Sequence, residues 1–312
     1  MNKAAQQLAA SDQGCVPILF RLIRSLADEL EVVRLPSSIE GYGKASTDWH
    51  QREAVTAHFI NCFTCNARIP SHWRTGTLCI LIETGDGLVL VDTGPGLEDY
   101  TNKPAIIRGF QLATKVPLNP DEAALRQVTR LGYKPGDVRH IVLTHMHFDH
   151  CGGLPDFPHA NVHVHEREYQ AFIGPPRRWT DLAYVRRHIA HNPSFNFYTE
   201  SGERWFEFPA IRLPFGLEMW LIPLFGHSRG HCGIAINLDG HWLFHVADAG
   251  PLGLDENVPD WLTSLVLGPH TPRLRQFKRD HPEMRFTTSH MLLDFFAAST
   301  GAKWVGDSKE SH

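Results

Sequence analysis

Residues 140–153 read HIVLTHMHFDHCGG. A short apolar run, fit for a buried strand, breaks off into His145, His147, Asp149 and His150, and two glycines follow. The strand would fix the backbone and the residues after it would offer their side chains, and α/β folds place their sites at such strand ends. Two positions apart on extended chain, His145 and His147 point to the same side. Asp149 and His150 are adjacent, so they diverge unless the chain turns. Gly152 and Gly153 permit a tight turn or a close approach of backbone. The segment can therefore present two ligand sets to two neighbouring points. That suits a two-metal centre better than a solvated histidine-rich loop.

Two metals need more ligands than this segment holds, since zinc takes about four from His, Asp, Glu and Cys. Other strand ends supply them. LEMWLIPL (217–224) reads as a strand and leads to His227 in FGHSRGH; HWLFHVAD (241–248) closes on Asp248; RFTTSH (285–290) closes on His290. The chain's 20 histidines raise the expectation of metal, because neutral imidazole binds divalent cations.

The remaining pattern places these strands in a fold. TLCILIE (77–83) and GLVLVD (87–92) flank an Asp-Gly pair, a hairpin signal, and GIAINLDG (233–240) meets HWLFHVAD at Asp239-Gly240, a second one. NVHVHE (161–166) is a strand leading into a helix at REYQAF. Helical spacing of apolar residues marks 121–133, and 271–283 reads as a helix until Pro282. Strand pairs followed by strands alternating with helices, given twice, imply an α/β protein with mixed sheets covered by helices. Residues 1–55 read as an extension, a helix over PILFRLIRSLADELEVV and then a loop; 301–312 is a tail.

The motif H-x-H-x-D-H, with later His227, Asp248 and His290, resembles the metallo-β-lactamase superfamily, as does GLVLVDTGPG (87–96) ahead of it. The resemblance covers residues 56–300 and implies a four-layer αββα sandwich: two mixed β-sheets, helices on the outer faces, and metals at one edge of the sheets. It implies that His145, His147 and His227 hold one metal, that Asp149, His150 and His290 hold another, and that Asp248 bridges them. Asp92 would orient a ligand histidine. The two ions are expected to be zinc, with iron, manganese and cobalt open on the same nitrogen and oxygen donors.

Two such cations lower the pKa of a shared water from about 15.7 towards 7 and polarise the substrate oxygen. The expected function is a dinuclear hydrolase that attacks through a metal-bridging hydroxide, with Asp248 and Asp149 catalytic, Asp149 as proton shuttle. Lactones or other carboxylic esters are the expected substrates; phosphotriesters or other phosphoesters, and a non-hydrolytic metal-binding role, are the alternatives. THMHFDHCGG is similar to the form in N-acyl-homoserine lactonases, which usually carry a tyrosine three residues after the bridging aspartate. Here that position is Pro251, which has no side-chain donor, and Tyr184 or Tyr198 would have to replace it. Arg229, where the family turn has proline, is either an anion contact or an exposed turn residue. The variable segment 167–215, with Arg177, Arg178, Trp179, Arg186, Arg187, Phe195, Phe197 and Trp205, is a candidate substrate cap.

The formal net charge is −4, which leaves no general basic field for nucleic acid. No apolar run is long enough to span a membrane, and MNKAAQQLAASDQG lacks the apolar core of a secretory signal. The partner is expected to be a small-molecule substrate, the location cytoplasmic, and a homodimer is left open.

Overall fold

The computed structural model describes residues 55–66, 74–114, 119–250 and 259–290. The expected N-terminal helix, Pro251 and the tail lie outside the described residues.

Strands β1 (Ala57–Asn66), β2 (Arg74–Thr84), β3 (Gly87–Val91), β4 (Val138–Val142), β5 (Asn161–His165) and β6 (Ser194–Tyr198) lie side by side in that order. The first two pairings are antiparallel and the next three parallel. After a short ribbon, β7 (Arg204–Trp205) and β8 (Phe208–Pro209), come β9 (Ile211–Arg212), β10 (Met219–Pro223), β11 (Cys232–Leu238), β12 (His241–His245) and β13 (Arg285–Thr287). These five form a second sheet in the order β13-β12-β11-β10-β9, antiparallel except where β12 meets β13.

The central strands are buried on both faces, which is why they read as near-continuous apolar runs, whereas the edge strand β6 is largely exposed. On the first sheet Cys79, Leu81, Leu90 and Ile141 pack against Ala124 and Val128 of a helix over Ala124–Arg130, and against Phe172 of one over Glu166–Ile173. On the second, Ile222, Ala235 and Phe244 pack against Leu274 and Phe277 of a helix over Thr271–Asp280. The alternate residues, Ile80, Ile82, Val89 and Val91 on one sheet and Leu221, Ile234, Ile236 and Leu243 on the other, are buried too. They fill the space between the sheets, giving the αββα order. Backbone bonds stitch the sheets at the ligand end: Cys232 N–H to the Thr144 carbonyl at 2.8 Å, and Leu78 N–H to that of Ser289 at 3.0 Å.

In chain order the described α-helices are α1 (Leu97–Thr101), α2 (Ala105–Thr114), α3 (Ala124–Arg130), α4 (Phe148–Cys151), α5 (Glu166–Ile173), α6 (Asp260–Val266) and α7 (Thr271–Asp280). Among the described residues no helix is long and apolar enough to cross a membrane. The helix expected over 121–133 begins later, because Ala123 takes an extended ψ of 135° between a 3-10 turn and α3. Both hairpins form. Asp239 and Gly240 take positive φ, 52° and 91°, as a type I′ turn needs. In the other, Thr84 pairs with Gly87, so Gly85 and Asp86 make the turn. Residues 167–215 supply most of α5 and all of β6, β7, β8 and β9, and Trp205 is buried in the second core.

Candidate metal centre

His145 and His147 follow β4 on extended chain, as their spacing requires. The chain then turns. His147 precedes the single-turn helix α4, which swings Asp149 and His150 round together instead of letting them diverge. Gly152 stays in ordinary helical backbone, φ −59°, so its role is close approach: a Cβ there would sit 2.5 Å from the Phe148 carbonyl oxygen and 2.8 Å from Pro95 Cα. The DTGPG loop lies against this turn, with Thr93 N–H donating to the His150 carbonyl at 2.7 Å.

The three later residues converge on the same place. Ligand atoms of His145, His147 and His227 lie within 4.8 Å of one another, as do those of His145, His150 and Asp248, and those of Asp149, His150 and His290. Asp248 touches both sides: its Oδ2 is 3.3 Å from His227 Nε2 and 3.2 Å from His290 Nε2, and its Oδ1 is 3.5 Å from His150 Nε2. Asp149 Oδ2 is 3.5 Å from His290 Nε2, and His227 Nε2 is 3.1 Å from His147 Nδ1.

These residues fit metal. Two donors, each about 2.0–2.1 Å from one tetrahedral zinc, lie about 3.3 Å apart. The separations above cluster around that value. His145 Nε2, His150 Nε2 and Asp248 Oδ1 are buried without a hydrogen-bond partner. Orphaned polar atoms of this kind are costly unless something else satisfies them.

The tautomers that aim these nitrogens follow from a carboxylate that only accepts. Asp92, at φ 56°, receives Thr144 N–H on Oδ1 at 2.8 Å and the Thr144 hydroxyl on Oδ2 at 2.7 Å. Having given its proton to Asp92, the Thr144 hydroxyl can only accept from His145 Nδ1, 3.1 Å away. Asp92 Oδ2 likewise takes His150 Nδ1–H at 2.9 Å. Both rings therefore carry the proton on Nδ1 and turn a bare Nε2 to the centre. Burial, then the neighbouring rings, pushes His145 and His147 well below the ordinary imidazole pKa. Burial acts against His150 as well, but Asp248, Asp149 and Asp92 outweigh it and hold it above. Burial opposes the Asp248 charge too, yet His290, His150 and His227 keep its carboxyl well below the usual range. The cluster is built around positive charge.

The sequence from residue 72 to 290 matches the family model of the metallo-beta-lactamase superfamily, well over half the chain. The chain belongs to the metallo-beta-lactamase superfamily. Among curated relatives, a probable metallo-hydrolase of Mycobacterium tuberculosis is 39% identical over 199 residues, 62% of this chain and 62% of the relative. An N-acyl homoserine lactonase of Bacillus thuringiensis is 27% identical over 163 residues, 52% of this chain and 58% of the relative. The chain thus matches about three fifths of the length of these relatives. A solved N-acyl homoserine lactone hydrolase with N-hexanoyl-L-homoserine bound at its catalytic metal center shares the fold at TM-score 0.60 and 21% identity, over 78% of this chain and 96% of that one.

The superfamily frame isolates what is particular to this chain. Arg229 is neither an anion contact nor an exposed turn residue: it pairs with Asp181 at 3.2 Å and donates to the Ala171 carbonyl at 2.9 Å. Tyr198 is held by His163 Nδ1 at 2.8 Å, between β5 and β6. The Tyr184 ring lies against His147, centroids 5.1 Å apart, but its hydroxyl donates to Glu168 at 3.0 Å. So the Tyr184 proton is taken up by Glu168, and the Tyr198 hydroxyl is paired with His163. Arg187 ties to Asp99 at 2.5 Å and Arg186 to the Gly174 carbonyl at 2.7 Å. Arg177 is exposed; Arg178 donates to the Gly226 carbonyl at 3.1 Å and lines a groove of about 390 Å³ with Trp179, Leu265 and Gly268. Sequence reasoning missed Thr144 and Glu168; His231, near the site in sequence, supports it from behind, its Nε2 accepting Asp248 N–H at 3.1 Å. Thr144 and His231 adjoin the motifs; Glu168 carries no such signal.

Proposed function

We propose that the chain is a dinuclear metal-dependent hydrolase of a lactone or other carboxylic ester with an apolar acyl portion. The observation that carries this reading is the pair of three-residue groups meeting at Asp248. His145, His147 and His227 would hold one ion, Asp149, His150 and His290 the other, and Asp248 both. Zinc suits this mixture of imidazole and carboxylate. When bound, the ions acidify water and polarise the scissile carbonyl. The chain's own residues do the rest. Asp92 and Thr144 fix the ligand rings, and Asp149, beside His290 and partly open to solvent, passes a proton to the leaving alkoxide oxygen.

The substrate class is supported by the groove one residue before His227. Gly226 and Gly268 pack backbone to backbone, since a Cβ on Gly226 would lie 2.5 Å from Gly268 Cα, and the exposed Trp179 and Leu265 line the space beside them. Arg178, Thr180 and Ser264 line it too, so an acyl chain carrying a polar group would fit there, beside the His227 loop. The test is metal analysis of the purified protein together with a panel of lactones, aryl esters and phosphotriesters. About two metals per chain are expected, with lactones and carboxylic esters turned over fastest. Fewer than one metal after reconstitution, or hydrolysis that survives both His147→Ala and Asp248→Asn, overturns the reading; preference for phosphotriesters overturns the substrate class.

A further inference from the structure

Glu168, on the first turn of α5, is fully buried and belongs to none of the ligand groups. Its Oε1 accepts from Met146 N–H at 2.9 Å and from the Tyr184 hydroxyl at 3.0 Å. Its Oε2 accepts from the Ser228 hydroxyl at 2.7 Å and from Gly230 N–H at 2.9 Å. Met146 stands between His145 and His147. Ser228 and Gly230 follow His227. One carboxylate therefore grips both loops that carry the first three imidazoles, and a tyrosine whose ring lies against one of them.

The grip is close. A Cβ on Gly230 would lie 2.2 Å from Glu168 N, so only glycine lets the His227 loop come down onto α5. Burying a carboxylate costs several kcal/mol unless its lone pairs are filled, and here four donors fill them. The backbone bond from Cys232 to Thr144 joins the same two loops further from the site. Glu168 joins them near the rings, where His147 Nδ1 and His227 Nε2 stand 3.1 Å apart.

We propose that Glu168 is a positioning residue: it sets the distance between the His145–His147 strand end and the His227 loop, and so the affinity of the first metal site, without serving the second. This rests on the two-metal reading above. Glutamine is the informative replacement. It keeps the shape, but its amide NH₂ must face one pair of donors. Hydroxyls can turn to accept from it; the backbone N–H of Met146 or of Gly230 cannot. One loop is therefore released in either orientation.

The experiment is titration of metal-free protein with Zn²⁺ against a chromophoric chelator, for wild type, Glu168→Gln and Ser228→Ala, each also in a His227→Ala and a His290→Ala background. Glu168→Gln should weaken one of two sites by about 10–100-fold, the range for partners that orient ligands. Ser228→Ala, which keeps the carboxylate and drops one donor, should weaken the same site less. The loss should persist when His290 is removed and vanish when His227 is removed. Excess Zn²⁺ should restore the turnover of Glu168→Gln. Wild type that lacks two sites overturns the metal reading beneath. Wild type with two sites, and variants whose sites are unchanged or fall equally, overturns the role of Glu168. If Glu168→Gln does not fold, Ser228→Ala in the same two backgrounds decides by the same criterion.

Discussion

The two ligand groups are built differently. His145, His147 and His227 are gripped from behind: Thr144 holds the His145 ring, and Glu168 holds the backbone between His145 and His147 and the loop after His227. In the other group His150 has Asp92, but Asp149 rides on a single helical turn, and His290, beyond its contacts to Asp149 and Asp248, has a 3.3 Å contact to the Gly76 carbonyl and is the most exposed member, at 38%. The first group is fixed by the core, and the second opens to solvent at His290. The proposed hydrolysis would use both qualities: a rigid half to set geometry, and an accessible half through which water, substrate and product move.

The largest effect should come from the residue that belongs to both halves. Asp248→Asn removes a charge shared by His227, His150 and His290. Metal catalysis is worth several kcal/mol, so kcat should fall on the order of 10³-fold or more, with metal content below two per chain. A variant that keeps two metals and a tenth of the activity would break the claim that the halves meet there.

Next come the single ligands, which sharpen the comparison. His227→Ala should abolish the gripped site and His290→Ala the open one, each leaving about one ion per chain. The open site should also lose its ion faster to chelator in wild type, because its outer ligand is exposed. Equal release rates for the two ions would remove the distinction.

Asp92→Asn follows, at about 10–100-fold in metal affinity. Asp92 accepts from a backbone N–H, a hydroxyl and an imidazole N–H. An amide in its place turns an NH₂ either to Thr144 N–H or to His150 Nδ1–H. The loss should fall mainly on the open group, which depends on His150 alone for a buried anchor. Site-resolved zinc titration reads this, and a loss confined to the gripped group would contradict it.

These residues were legible in the sequence for a physical reason. Strands buried on both faces are nearly all apolar, so β2, β4, β10 and β12 stand out, and a histidine or aspartate just past such a run has little reason to be there except as a ligand. Adjacency carried less. Asp149 and His150 converge only because α4 makes one helical turn, too short to show periodicity. Glu168 was illegible: a glutamate on the first turn of a helix is ordinarily solvated, and its burial depends on Gly230, Ser228 and Tyr184, all distant in sequence. The arginines of 167–215 and Arg229 carried less information for the converse reason. A long cation looks free in a sequence, whereas Arg186, Arg187 and Arg229 are each spent on a carbonyl or carboxylate.

The smallest effect tests the two tyrosines against each other. Tyr198→Phe removes a hydroxyl bound to His163, away from both groups, and kcat/KM should not change measurably. Tyr184→Phe keeps the ring beside His147 and Phe172 but takes one donor of four from Glu168. That should cost about 0.5–1.5 kcal/mol of stability, the net worth of one hydrogen bond, seen as a lower melting temperature, and less than tenfold in kcat/KM. A carboxylate has no proton to give, so the Tyr184 hydroxyl points its own at Glu168 and not at a substrate carbonyl. If Tyr184→Phe instead lowered kcat by orders of magnitude at unchanged metal affinity, that proton would be reaching the substrate during turnover. The gripped half would then have to move, and the division between a fixed and an accessible half would fail.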